Sequence, residues 1–477
     1  MKQANYPVKL FIGLSLFFIL SVAIAVYFSL YWIAALPFAF AFFYAGWQQW
    51  QVVFFLLIFS LPWSIEFNVT SSLSTDLPDE PLMLITAMFF LLNWIYAHKN
   101  ISAETWKHTL LFLLLLHFVW VTISVAFSTD PSLSIKFWLA KGWYLLAFVF
   151  APLILFQSKQ NIRLTAIIFL YSIGILTAII IYRHYLLGLS FEKINDAVSP
   201  FFRNHVNYSA MLACSVPMLI ACYQLDKKNK LAILACLLLV LVAIGFSYSR
   251  GAWLAVGVAA ATYVLLRYNK LFLTYCMAIL FSCGAIFWLK TNDRYLEFAH
   301  DYKSTIFHKE FKEHWAATYQ LKDVSTAERF NRWIAGVRMI GDRWLLGYGP
   351  NTFYDNYKPY SIPAFKTWVS KNKERSTVHN YFLFLAIEQG LPGLLIFVLL
   401  VGAMFFYAEK LYRRQQDKFY KYSAMAIAVI INMVMVVNFL SDLIESDKIG
   451  SLFFLCLSSL IAIDINSRKQ KKQAGQY

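Results

Sequence analysis

Leu231–Phe246 (LAILACLLLVLVAIGF) holds no charge, and Ser247-Tyr248-Ser249-Arg250-Gly251-Ala252-Trp253 turns it directly into a second apolar run that reaches residue 267. A helix rises about 1.5 Å per residue, so roughly 18–20 apolar residues cross a bilayer core of about 30 Å. Phe17–Phe28, Leu110–Phe127 and Leu164–Ile181 have the same texture. Of 477 residues 60% are hydrophobic, 18% aromatic and 14% charged, where soluble domains carry about 25% charged. The chain reads as an all-α, polytopic transmembrane helix bundle.

Working outward, spans are expected near 9–27, 29–46, 50–63, 81–97, 109–127, 136–156, 163–187, 208–223, 230–248, 251–267, 271–289, 379–406, 422–440 and 449–465. That is about fourteen, or twelve if two short ones are misread. The chain divides into helices over 1–289, a large polar loop over 290–378, a second helical group over 379–465 and a disordered Lys/Gln-rich tail over 466–477. The first apolar run leads into further spans with no small-residue cleavage site, so it is not read as a cleaved signal peptide.

Lys and Arg collect in alternate short connections, including Lys159 and Arg163, Lys227 and Lys228, Arg267 and Lys270, and Lys410 to Lys421. The intervening turns are acidic, with Glu66, Asp76, Asp79 and Glu80 in one and Asp130 in another. By the positive-inside rule both termini are cytoplasmic and the 290–378 loop faces outward. The formal net charge of +16 follows from this bias and from attraction to anionic lipid headgroups. No basic cluster with interleaved aromatics suggests a nucleic-acid groove, so that partner is excluded. The six cysteines lie in expected spans without metal-ligand spacing and read as small buried apolar residues.

Four places carry chemistry. Arg250 stands in an expected outer turn, where a cation is disfavoured unless an anion compensates it. Ser325-Thr326-Ala327-Glu328 has the form of a capping box. Phe330, Trp333, Ile334, Val337, Ile340 and Trp344 then recur at helical spacing, with Arg329, Arg332 and Arg343 on other faces. Guanidinium offers paired donors matched to phosphate, although the same arginines could simply snorkel to headgroups. His379 stands at the water boundary of the next span, where imidazole is a candidate general base or a structural residue. Asn380 could orient a sugar hydroxyl or cap the helix, and Glu388 could pair with an arginine or a backbone donor. Gly390 and Pro392 predict a break about three turns in. Arg203 and His205 offer a secondary site on a shorter outer loop.

Ser249-Arg250-Gly251, Arg329 with Trp333, Gly347-Tyr348-Gly349-Pro350-Asn351-Thr352-Phe353, His379-Asn380 and Glu388-Gln389-Gly390-Leu391-Pro392-Gly393 occur in this order around a large loop. The ordered set, spanning about 201–400, resembles the O-antigen ligase and O-antigen polymerase superfamily. The resemblance implies a glycosyltransferase of the bacterial inner membrane that takes a glycan from undecaprenyl diphosphate on the periplasmic side. The acceptor would be lipid A-core, another lipid-linked glycan or a protein. It implies inversion without a metal or other cofactor, with His379 as base and Arg250 and Arg329 on the diphosphate, to which Arg332 adds a further guanidinium. Fourteen spans lie nearer some polymerases, whereas a short outer loop bearing only Arg203 and His205 favours a ligase. A different transferase would use Asp76, Asp79 and Glu80, unless these form an ordinary solvated acidic loop. A polysaccharide or lipid transporter would need paired broken helices, and only one is seen.

Overall fold

The computed structural model describes residues 6–30, 33, 36–68, 74–96, 101–298, 324–362 and 377–473. Its main helices are α1 (Tyr6–Tyr27), α2 (Leu36–Gln48), α3 (Trp50–Ser60), α4 (Asp79–Tyr96), α5 (Thr109–Ala126), α6 (Pro131–Leu155), α7 (Lys159–Leu186) and α8 (His205–Leu225). They continue with α9 (Lys230–Phe246), α10 (Arg250–Arg267), α11 (Leu271–Lys290), α12 (Val324–Asp342), α13 (Tyr381–Arg414), α14 (Lys418–Asn438) and α15 (Asp447–Gln473). One antiparallel ribbon, β1 (Ile65–Asn68) with β2 (Ser74–Leu77), pairs Glu66 with Asp76.

A helix stands at each of the fourteen expected span positions. Among the described residues, eight helices, α5 to α8, α11 and α13 to α15, are long and apolar enough to cross a membrane. The others fall short for visible reasons. At 13 and 11 residues, α2 and α3 reach only about 20 and about 17 Å. The tail departs from expectation too, since α15 continues as helix through Gln473. Residues 474–477 of that tail, and the side chain of Ser325 with its capping box, lie outside the described residues.

Packing follows burial. α8, α14 and α15 are the most enclosed spans, while α11 turns nearly all its side chains outward, as a helix meeting lipid does. Polar side chains also pair between helices: Asn432 Nδ2 of α14 donates to Thr262 Oγ1 of α10 at 2.7 Å. All six cysteines are free, with Cys214 and Cys456 buried and Cys283 exposed.

α13 is two helices. Gly390 has φ 73° and ψ 174°, a conformation essentially restricted to glycine. Pro392 falls in the first turn of the second half, where its missing N–H costs no helical hydrogen bond. The expected break is present, and it separates a short helix, 381–389, from a long one.

Candidate active site

Contacts gather several helix starts at one end of the bundle. Lys448 Nζ, at the start of α15, donates to the carbonyls of Pro62 (3.1 Å) and Ser64 (3.0 Å) after α3 and of Phe201 (2.6 Å) before α8. Tyr381 Oη, at the start of α13, donates to Glu445 just before α15 at 2.8 Å. Tyr248, before α10, donates to Leu189 O at 2.7 Å and packs on Phe191, which packs on His205 at the start of α8. Arg250, His205, Arg203 and His379 therefore share this end.

In the acidic turn Glu66 is exposed, but Asp79 is not solvated. Asp79 is fully buried, and Lys448 sits among Asp76, Asp79 and Asp447 while its ammonium lies 4.4 Å from the Phe202 ring. Burial pushes the Asp76 carboxyl up, and the neighbouring Glu80 adds to it. These acids surround a structural cation, as buried carboxylates must.

α12 presents a different face from the one its apolar periodicity suggested. Glu328, Asn331, Arg332, Ala335 and Met339 are buried, whereas Val337 and Trp344 are exposed. The reason is what it packs on. The segment leading into α13 carries bare backbone carbonyls, and α12 supplies donors to them: Arg332 Nη1 to Thr377 O at 3.2 Å and Trp333 Nε1 to Val378 O at 3.1 Å. The Trp333 ring also meets Phe439 at 5.8 Å. Arg332 Nη2 reaches Glu328 at 3.3 Å, and the Tyr357 side chain lies near the same guanidinium. Arg332 is thus committed inside the protein.

Those bonds hold His379. Its φ is +53°, a left-handed conformation in which histidine is enriched but which still needs support. Its N–H donates to Thr377 Oγ1 at 3.4 Å, and one residue on Asn380 caps α13 by accepting from Leu383 N–H at 3.0 Å. Asn380 thus performs the cap role. The half-buried imidazole itself receives no hydrogen bond from the described residues. Burial first, then the charges of Arg332 and Arg329, push its pKa down to about 4. At neutral pH it is an unprotonated acceptor facing two guanidinium groups.

Arg250 opens α10 at a turn whose hydroxyls serve the backbone. Ser247 Oγ and Trp253 Nε1 both donate to Ile244 O, at 2.7 and 2.9 Å, and Tyr248 takes φ +54°. Arg250 is joined to this end of the bundle by its turn. Arg203 forms a fork on Glu66 (2.9 Å) and lends its charge to Asp442. His205 Nδ1 meets Asn195 Oδ1 at 2.9 Å, which ties the loop to α8.

Glu388 belongs to another task. Fully buried, its carboxylate accepts from the N–H groups of Asn351 (2.6 Å) and Phe353 (3.0 Å), so the backbone-donor reading holds and the arginine one does not. Tyr348 N–H and Gly349 N–H bond Ile387 O (3.0 Å) and Glu388 O (2.9 Å), and Leu391 N–H bonds Trp344 O at 2.7 Å. A Cβ on Gly390 would lie 2.1 Å from Leu345 O. The glycine-rich turn of 347–353 is therefore laid into the break of α13, and the two glycine motifs are halves of one joint.

Sequence reasoning passed over Thr377, Asp442, Glu445 and Lys141. Lys141 Nζ grips both Glu445 oxygens, at 3.1 and 2.9 Å. The available signal was Asp442, Glu445 and Asp447 falling together between two spans. Among the described residues no group of three or more His, Cys, Asp or Glu has the arrangement of a metal site.

Residues 234–398 match the family model described as O-antigen ligase, which takes in Arg250, α12, the 347–353 turn and His379. No curated protein matches the chain.

Proposed function

We propose, for a chain whose residues 234–398 match the O-antigen ligase family model, that it moves a glycan from undecaprenyl diphosphate to an acceptor hydroxyl on lipid A-core. The reaction takes place at the periplasmic face of a bacterial inner membrane, with both termini cytoplasmic. The observation that carries this reading is the His379 imidazole, unprotonated, without a hydrogen bond from the described residues, and close enough to Arg329 and Arg332 to feel both charges.

His379 takes the proton of the acceptor hydroxyl as its oxygen attacks the anomeric carbon. The bond to the diphosphate breaks on the opposite face, so configuration inverts. The electron pair leaves on the diphosphate, and Arg250 and Arg329 stabilise that growing charge in place of a metal. Arg332, engaged with Thr377 and Glu328, orients the base. A bound diphosphate also offsets the guanidinium field on His379, so the base strengthens when donor is present.

Purified protein given an undecaprenyl diphosphate glycan and lipid A-core tests this. His379→Ala is expected to lose about 10²- to 10⁴-fold in turnover and Arg250→Ala or Arg329→Ala about 10²-fold, each still folded and each reaction indifferent to EDTA. Wild-type turnover in His379→Ala would end the base assignment. A ladder of products, rather than one transfer per acceptor, would assign polymerisation instead of ligation.

A further inference from the structure

Outside the matched segment, the connection between α14 and α15 brings two carboxylates to the turn that carries His379. Two residues before the histidine, the Thr377 side chain lies beside the Asp442 carboxyl. Two residues after it, Tyr381 Oη donates to Glu445 Oε1 at 2.8 Å, and Lys141 fixes Glu445 from a third helix at 2.9 Å. On the other side, Arg332 and Trp333 hold the carbonyls of 377 and 378. The left-handed His379 is thus gripped from α12 and from the 442–445 turn at once.

Arg332 and Trp333 fix where the backbone passes. They do not fix rotation of the strand about their own bonds, because both pull from the same helix. Contacts on the far side, before and after the histidine, supply that restraint. We infer that Glu445, which anchors Tyr381, and Asp442, which lies beside Thr377, are positioning residues that hold the His379 imidazole in the geometry the transfer needs. Neither need touch substrate.

This inference rests on His379 being the base, and the experiment separates the two. Asp442→Asn, Glu445→Gln, Tyr381→Phe and Thr377→Ser are made in the full-length protein, alongside His379→Ala. Each is assayed for kcat and KM, and each is examined by NMR with ring-¹⁵N histidine. A misplacement near 1 Å costs about 10²-fold, so Asp442→Asn and Glu445→Gln are expected to lower kcat about 10- to 100-fold with donor KM within about twofold. Thr377→Ser, which keeps the hydroxyl, retains activity. Tyr381→Phe reproduces the loss in Glu445→Gln, and combining the two adds little, because both cut the same contact. The His379 ring resonance shifts in Asp442→Asn and Glu445→Gln. Unchanged kcat and an unmoved His379 resonance in both carboxylate variants would overturn the positioning role. An active His379→Ala would overturn the base reading, while a shifted resonance would still report the anchor.

Discussion

The two ends of the short helix 381–389 make opposite use of a strained residue. At its far end Gly390 breaks the helix, and the freed backbone groups of 387, 388 and 391 meet the 344–353 segment in a closed set of hydrogen bonds. At its near end His379 is also left-handed and its backbone is also held, but its imidazole receives no hydrogen bond from the described residues and feels the charge of two arginines. The first arrangement serves architecture, and the second suits the proposed base.

Breaking the closed end gives the largest effect. Glu388→Ala leaves the buried N–H of Phe353 without an acceptor, at about 1–3 kcal/mol, and also removes the acceptor of the Asn351 N–H. Thermal unfolding in detergent should show a loss of several degrees or failure to accumulate folded protein. A Glu388→Ala protein as stable as the parent would mean that the joint is not closed.

The open end responds to pH instead. His379 is held neutral by burial and by the charges of Arg332 and Arg329, with a pKa of about 4 against the ordinary 6.5. The unfolded chain therefore takes up this proton first. The site's contribution to stability is present above pH 6.5 and declines as pH falls from there toward 4. Arg329→Gln removes one of the charges that lower the pKa, so a histidine NMR titration should find the midpoint moved upward. A midpoint unmoved in Arg329→Gln would separate that arginine from the base.

The smallest effect tests the residue between them. Asn380→Ala removes a helix cap and should cost about 1 kcal/mol of stability. With its Oδ1 committed to the Leu383 N–H, Asn380 is expected to leave acceptor KM unchanged when replaced. A large rise in acceptor KM would restore it to the substrate site.

Much of the site could be read along the chain. Arg250, Arg329 and His379 each stood out as polar groups at the margin of apolar runs, where burial makes polarity conspicuous. The break at Gly390 was legible because glycine and proline restrict the backbone locally. The buried face of α12 was not, since its apolar stripe pointed toward Trp344 and the packing chose Arg332 and Asn331. The acids of 442–447 and the role of Lys448 were illegible for a similar reason, as their partners lie hundreds of residues away.

Hydropathy and local backbone preference are properties of neighbouring residues, so the sequence by itself determined an all-helical membrane bundle, the place of its large loop and the break in α13. Which carboxylate anchors a turn, which arginine is committed and which imidazole is left open depend on pairs distant in the chain. Only the tertiary structure decided those, because a buried charge or donor takes whichever complementary group the packing brings within about 3 Å.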